Sequence, residues 1–428
     1  MSKKCYGFSL GCKVNAYETA HIMAALEENG YSETFDASES DVIVINTCAV
    51  TAIAGQKSRQ HIRKFRRLAP NAILIAMGCY TKEIGEEALK MGADIVLGTE
   101  GRGAILDAIT RFEKEGKPLC LVSKRRTEGP FEELMSNYSV APVRAYLKIQ
   151  DGCDKFCSYC AIPGLRGKSR SRLQESILYE IKDLLSKGTK EIVLSGVEIG
   201  YYGKDLGEGN YGLGELITDI LETFPELERL RISSLDQSEI SPSFLEAYRK
   251  YKVLMPHFHL SLQSGSKSVL ERMRRHYDPK DYLKTVSLLR EIRKDTAITT
   301  DIIAGFPLES EEEWQETLDF AKKAEFAEIH VFPFSARKGT YAATLPDVEP
   351  SIKKRRVEEL LSLSKELRKS YEKSFYGKEL PVLFETYDQK EKTAIGHTEN
   401  YLLVKVPSDK SLTREIKPVL YNVNNAID

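Results

Sequence analysis

Cys153, Cys157 and Cys160 form a C-x3-C-x2-C run inside Asp151-Gly152-Cys153-Asp154-Lys155-Phe156-Cys157-Ser158-Tyr159-Cys160. Three thiolates this close in sequence can wrap one metal centre. They are one short of the four that a closed zinc site or a fully ligated iron–sulfur cubane takes, so one metal position stays open to a ligand. The competing uses are a zinc knuckle completed from a distance, for which no nearby histidine stands ready, and thiols that only pack. A second set, Cys12, Cys48 and Cys79, is dispersed. Each follows an apolar run: Leu10-Gly11-Cys12, Asn46-Thr47-Cys48, Met77-Gly78-Cys79. If those runs are parallel strands, their C-terminal ends share one edge, where ligands collect in open α/β folds, and the thiols can converge. The alternative is three separate buried thiols, since free cysteine is among the most buried residue types. Cys5 and Cys120 match neither set and read as packing thiols.

The elements that must position these groups follow from periodicity. Strands are expected at Cys5–Leu10, Val42–Asn46, Ile73–Met77 and Ile95–Leu97, with helices at Tyr17–Asn29, Ala52–Leu68, Glu83–Met91 and Gly103–Glu115. That alternation predicts a parallel-sheet α/β domain over residues 1–122. Residues 123–142 lose the pattern, with Lys124-Arg125-Arg126 and a Gly129-Pro130 turn signal, and read as a linker. A second βα series fills 143–373, with strands at Ala145–Ile149, Glu191–Leu194, Arg229–Ile232, Phe258–Leu262, Ile298–Ile302 and Glu328–Phe332. Six such units suit a partial (β/α)6 barrel whose chemistry sits at the C-terminal rim. A charged helix, Ile352–Tyr376, leads into 374–428, where the short runs Leu380–Thr386, Thr393–His397 and Tyr401–Val406 predict a small antiparallel β-barrel.

Composition narrows the class. The 428 residues carry 62 Lys+Arg against 63 Asp+Glu, a net charge of −1, with 42% hydrophobic residues and 8 cysteines. A chain of this length buries a core without disulfide staples, so clustered cysteines point to metal or redox chemistry in a soluble, intracellular protein with no membrane span. The net charge argues against a globally basic nucleic-acid binder and leaves room for local patches. Two exist: Lys57, Arg59, Arg63, Lys64, Arg66 and Arg67 occur with no acid between Gln56 and Arg67, and Arg166, Lys168, Arg170 and Arg172 follow the cysteine run. The second, in an expected loop beside the metal centre, is the better candidate for phosphate contact. Arg272-Met273-Arg274-Arg275 and Lys353-Lys354-Arg355-Arg356 read as exposed helix charges, His257 and His259 as satisfied structural histidines, and Phe384, Tyr387 and Tyr401 as core.

Taken together, Leu10-Gly11-Cys12-Lys13-Val14-Asn15-Ala16-Tyr17-Glu18, Asn46-Thr47-Cys48-Ala49-Val50-Thr51, the Asp151 to Pro163 segment and Gly396-His397-Thr398-Glu399-Asn400-Tyr401 resemble the radical S-adenosylmethionine (SAM) methylthiotransferases over essentially the whole chain. Within that family they are most similar to the branch that modifies threonylcarbamoyladenosine beside the tRNA anticodon. The resemblance implies a radical-SAM barrel, a C-terminal TRAM domain and two [4Fe-4S] clusters. One cluster would be held by Cys153, Cys157 and Cys160 and chelate SAM; the other, held by Cys12, Cys48 and Cys79, would carry the sulfur. It also implies tRNA as partner, an external one-electron donor of flavodoxin or ferredoxin type, no stable protein partner and a cytoplasmic location. Strand-end positions of the barrel, Tyr159, Gly196, Glu198, Ser234 and Gln263, are the candidates for SAM contact. The nearest alternatives are relatives that modify isopentenyladenosine in tRNA or an aspartate of a ribosomal protein; a different class is a non-catalytic, metal-containing RNA-binding protein.

Overall fold

The computed structural model describes residues 2–123, 125–134, 141–207, 209 and 211–427. The N-terminal part runs β1 (Lys4–Ser9), α1 (Lys13–Glu28), β2 (Ser32–Glu33), β3 (Val42–Thr47), α2 (Ala52–Leu68), β4 (Ile73–Gly78), α3 (Cys79–Ile84), α4 (Glu87–Lys90), β5 (Ile95–Val96), α5 (Ile105–Glu115) and β6 (Leu119–Cys120). Its strands form one parallel sheet in the order β2-β1-β3-β4-β5-β6. Every residue of β3 is buried, as a central parallel strand covered on both faces requires. Val42 and Val44 pack with Ile22 and Leu26 of α1, while Ile43 and Ile45 pack with Ile62 and Phe65 of α2. Two expected helices differ. α1 begins four residues early, immediately after Cys12, and the segment expected as Glu83–Met91 is broken at Gly85, whose φ of +56° ends α3.

Within the expected linker, Lys124 and residues 135–140 lie outside the described residues. Residues 125–134 have no helix or strand, yet Phe131 and Leu134 are buried and Glu132 and Glu133 pair with Arg102 and Arg172. The segment is strapped to both neighbours.

The middle part comprises β7 (Arg144–Lys148), β8 (Gln150–Asp151), α6 (Ile162–Arg166), β9 (Arg170–Ser171), α7 (Gln174–Ser186), β10 (Glu191–Ser195), α8 (Leu213–Thr223), β11 (Arg229–Ile232), α9 (Pro242–Lys250), β12 (His257–His259), α10 (Lys267–Arg272), α11 (Pro279–Ile292), β13 (Ala297–Ala304), α12 (Glu311–Ala324) and β14 (Glu328–Pro333). The barrel strands lie in two parallel arcs, β11-β10-β7 and β12-β13-β14. Isolated bridges, Leu230 to Leu254 and Leu235 to Leu260, link the arcs. The result is an open barrel around a core that includes Leu147, Ile192, Leu230, Phe258 and Ile298. No described helix is long and apolar enough to cross a membrane.

A long helix, α13 (Pro350–Lys373), packs on β13 and β14 and leads to β15 (Glu379–Asp388), β16 (Thr393–Thr398), β17 (Leu403–Pro407) and β18 (Ile416–Leu420). These form an antiparallel sheet, β17-β16-β15-β18, around Val382, Phe384, Leu402 and Val404. β18 escaped the sequence pattern because Ile-Lys-Pro-Val-Leu does not alternate; its Pro418 is tolerated because the strand is an edge.

Candidate active site

The dispersed cysteines share one sheet edge because their strands are neighbours. Ser9 of β1 pairs with Asn46 of β3, and Asn46 with Met77 of β4, so Cys12, Cys48 and Cys79 leave the sheet at one edge. A Cβ on Gly11, whose φ is +100°, would lie 2.8 Å from Cys48 Sγ, so glycine is what permits this approach. Arg166 of α6, 1% exposed, donates Nε–H to Cys79 Sγ at 3.3 Å and Nη2–H to Asn15 Oδ1 at 2.9 Å. Cys12 Sγ lies 3.7 Å from the same Asn15 oxygen. Asn15 Nδ2 donates to the carbonyls of Leu10 and Thr47, tying two strand ends together. Burial pushes the Cys79 thiol up to about 11 despite Arg166, and burial also raises that of Cys48. Such thiols ionise when a metal centre replaces their proton, so the set fits a sulfur-ligated core.

The clustered cysteines occupy one tight loop. At Gly152, φ +74°, a Cβ would come within 1.8 Å of the Lys168 carbonyl oxygen. Cys160 N–H donates to the Cys157 carbonyl at 3.0 Å, Lys155 N–H to Cys153 Sγ at 3.5 Å, and Arg275 Nη1–H to Cys157 Sγ at 3.7 Å. Burial pushes Cys153 up to about 11 and Cys160 up to about 12. Three thiols on one loop, with donors aimed at sulfur, fit a cluster with an open position.

Two neighbouring cavities adjoin the cysteine segments. A cavity of about 590 Å³ is lined by Cys12 and Lys13 from the N-terminal part, Gly196, Ser234, His257 and Asp301 from the barrel, and Tyr401 from the C-terminal part. A second of about 170 Å³, lined by Val50, Thr51, Tyr159 and Gln263, shares Asp301 with it. Asp301 Oδ1 lies 3.2 Å from His259 Nε2, and His259 Nδ1 lies 3.0 Å from Thr299 Oγ1. Tyr401, at φ +70°, stacks between His257 and His397 with ring centroids 4.5 Å away on each side, beneath Arg144 and Arg231. An aromatic side chain from the turn between β16 and β17 thus lines the barrel cavity.

Comparison with known proteins agrees with this geometry. Residues 147–321 match the Radical SAM superfamily, and residues 4–98 match the uncharacterized protein family UPF0004. The chain is 37% identical over 416 residues to the threonylcarbamoyladenosine tRNA methylthiotransferase MtaB of Bacillus subtilis, covering 96% of this chain and 92% of that protein. The chain belongs to the radical-SAM methylthiotransferase family. A tRNA-2-methylthio-N(6)-dimethylallyladenosine synthase of Symbiobacterium thermophilum is 33% identical, with 96% and 90% covered. The fold is also that of the radical SAM methyltransferase TsrM from Kitasatospora setae, with a TM-score of 0.58, 15% identity, and 80% and 74% of the two chains covered.

In this methylthiotransferase the expected SAM positions separate. Tyr159 and Gln263 line the smaller cavity, and Gly196 and Ser234 the larger. Glu198 lines neither: its buried carboxylate takes Lys155 Nζ at 3.1 Å and the Asp236 N–H at 3.3 Å, and burial, opposed by Lys155, raises its pKa. The arginines expected to meet phosphates are a correction. Arg166, Arg170 and Arg172 are buried, paired with Glu18 and Asp151, with Asp151, and with Glu180 and Glu133; Lys168 alone of that group is exposed. Buried guanidiniums keep company with carboxylates, and the sequence shows no such pairing across the domains. Arg275 and Arg356, expected as exposed helix charges, are likewise buried, on Cys157 and Glu309. Tyr401 is a cavity residue, not core, and His257 is not a satisfied histidine, since its Nδ1 has no partner among the described residues. Lys13 and Asp301 were missed; the first stands beside Cys12, a signal open to sequence, while the second needs the barrel closed.

Proposed function

We propose that the protein transfers a methylthio group to C2 of N6-threonylcarbamoyladenosine in tRNA, in the cytoplasm, with electrons from an external donor of flavodoxin or ferredoxin type. The observation that supports it is two cysteine triads beside neighbouring cavities, Cys12 lining the larger and Tyr159 of the cluster loop the smaller, in a family that uses SAM and two [4Fe-4S] clusters. Cys153, Cys157 and Cys160 would hold one cluster, and Cys12, Cys48 and Cys79 the other. When bound, these cofactors supply the one-electron cleavage of a carbon–sulfur bond and the sulfur to be transferred.

The chain's own residues position and exclude. Arg275 and the Lys155 N–H stabilise thiolate charge in one loop, and Arg166 does so at the other site. Tyr159 and Gln263 on the smaller cavity, and Gly196 and Ser234 on the larger, would contact SAM, and Tyr401 narrows the larger cavity from the C-terminal part. A polar wall of Lys13, His257 and His330 favours a threonylcarbamoyl over a dimethylallyl substituent, which would need apolar contact.

The test is anaerobic reconstitution followed by turnover. The protein should take up about eight irons with matching sulfide and cleave SAM under reductant. Given tRNA that carries threonylcarbamoyladenosine, it should yield the methylthio nucleoside by mass spectrometry. Zinc in place of iron, or an iron-loaded protein that leaves this nucleoside unchanged, would sink the proposal.

A further inference from the structure

One wall of the larger cavity carries a lysine with no hydrogen-bond or ion-pair partner among the described residues. Lys13 is the first residue of α1 and makes no hydrogen bond or ion pair among the described residues. The neighbouring cations differ: Arg144 pairs with Glu191 at 2.7 Å and Glu385 at 2.9 Å, and Arg231 pairs with Glu191 at 2.9 Å. The start of α1 has no side-chain cap and no acidic residue in its first turn, and Gly11 to Val14 form the cavity wall. Uncapped N–H groups and the positive end of a helix dipole favour an anion there. A second observation is independent of the helix. His257 and Ser233, 6% and 5% exposed, line the same cavity, and His257 Nδ1 and Ser233 Oγ have no hydrogen-bond partner among the described residues. Buried polar atoms are nearly always bonded, so orphans on a cavity wall mark where a ligand supplies the bond.

We propose that this wall is a carboxylate subsite in which Lys13 binds the threonyl carboxylate of the modified adenosine while His257 and Ser233 hydrogen-bond the same polar substituent. The proposal deepens the functional reading above and rests on it. Threonine joined through its amino group to the carbonyl carbon on N6 leaves a free carboxylate and a hydroxyl, the two groups this wall can satisfy. A dimethylallyl group offers neither, and would leave an ammonium and two polar atoms desolvated and unpaired. Sites built around such bonds reject analogues that lack them by ~10⁴-fold. SAM also carries a carboxylate, and the experiment separates the two sources.

The reconstituted enzyme is given three anticodon stem-loops that differ only at N6 of the target adenosine: threonylcarbamoyl, its methyl ester, and dimethylallyl. Wild type, Lys13→Met, Lys13→Arg and Ser233→Ala are compared, with iron content measured for each. Wild type should lose at least about tenfold in kcat/KM from acid to ester. Lys13→Met should show that loss on the acid, mainly in KM, with the ester unaffected, and Lys13→Arg should restore most of it. Ser233→Ala should raise KM for the acid, with KM for SAM unchanged throughout. Equal use of acid and ester by wild type, or an unchanged KM in Lys13→Met, overturns the subsite. A raised KM for SAM with unchanged RNA kinetics gives the carboxylate to SAM and also overturns it. If Lys13→Met loses iron, the wild-type comparison of acid with ester decides alone. If iron-loaded wild type turns over none of the three RNAs, the functional reading fails; stem-loop binding then judges the subsite, which requires tighter binding of acid than ester in wild type and no difference in Lys13→Met.

Discussion

Glu18 is fully buried among Arg102, Lys148 at 2.9 Å and Arg166 at 2.9 Å, and Asp151 meets Lys148 at 2.6 Å and Arg166 at 3.0 Å. Burial alone would push both carboxyls up; the surrounding cations outweigh it and hold both below the usual carboxylate range. Removing one member leaves the others uncompensated, so Glu18→Gln should destabilise the protein by about 3 kcal/mol, read as a lowered unfolding midpoint. Loss of the charge that holds Arg166 should also weaken iron retention at the N-terminal site. Glu191 gives a pH-dependent case. Burial opposes its ionisation, but Arg231 and Arg144 bring it down to about 2 from an ordinary 4.5. A depressed carboxylate stabilises the fold above its unfolded pKa and loses that contribution as pH falls through the folded one. The stability gap between wild-type and Glu191→Gln apoprotein should therefore be full above about pH 5, near 3 kcal/mol, and close as pH approaches 2. A gap that is constant across this range would contradict the assignment.

At the scale of elements, the cluster loop depends on backbone shape. Gly152 combines a positive φ with a carbonyl 1.8 Å from where a Cβ would be, so Gly152→Ala has to distort the chain next to Cys153. Iron per chain should drop from about eight towards four, with the N-terminal site retained. Full iron loading of this variant would refute the dependence. The helices show what local pattern can reveal. α2 was legible from Ala52 to Leu68 because Ile62 and Phe65 mark a buried stripe against a basic face and Thr51 caps its start, accepting the Ala54 N–H at 3.1 Å. The first turn of α1 was not, because Lys13 to Ala16 has neither cap nor apolar period. It forms where Asn15 is caught by the ends of β1 and β3.

Across the described residues, several arginines are held in buried pairs, and α2 presents an exposed basic face. Lys57, Arg63, Lys64 and Arg67 of α2 are exposed, and the helix starts beside the smaller cavity, where Ala52 N–H donates to Ser335 Oγ at 3.1 Å. That face is where tRNA phosphates should lie. Reversing Lys57, Arg63 and Lys64 to Glu should weaken tRNA binding at least about tenfold and reduce the salt slope by about one for each phosphate no longer neutralised, with iron content unchanged. Reversal of Lys354, an exposed lysine of α13, serves as the charge control and should leave binding alone. The C-terminal sheet is held in place by Arg229, which donates to the carbonyls of His397 at 2.9 Å and Pro381 at 2.8 Å, and by Arg231, which donates to that of Glu399 at 3.1 Å. Arg229→Met should loosen this docking, giving faster proteolysis after α13.

By itself the sequence determined the alternation of strands and helices, the cysteine loop and the placing of three further cysteines after strands, because periodicity and local spacing record which residues share a face or an edge. Tertiary structure alone decided which charges are buried and which atoms face the cavity. Arg166 and Glu18 are 148 positions apart, and Tyr401 reaches His257 from another sheet. Nothing local distinguishes a paired arginine from one that awaits a phosphate, or a core tyrosine from one that lines a cavity, because burial and pairing depend on contacts that exist only once the domains have closed on one another.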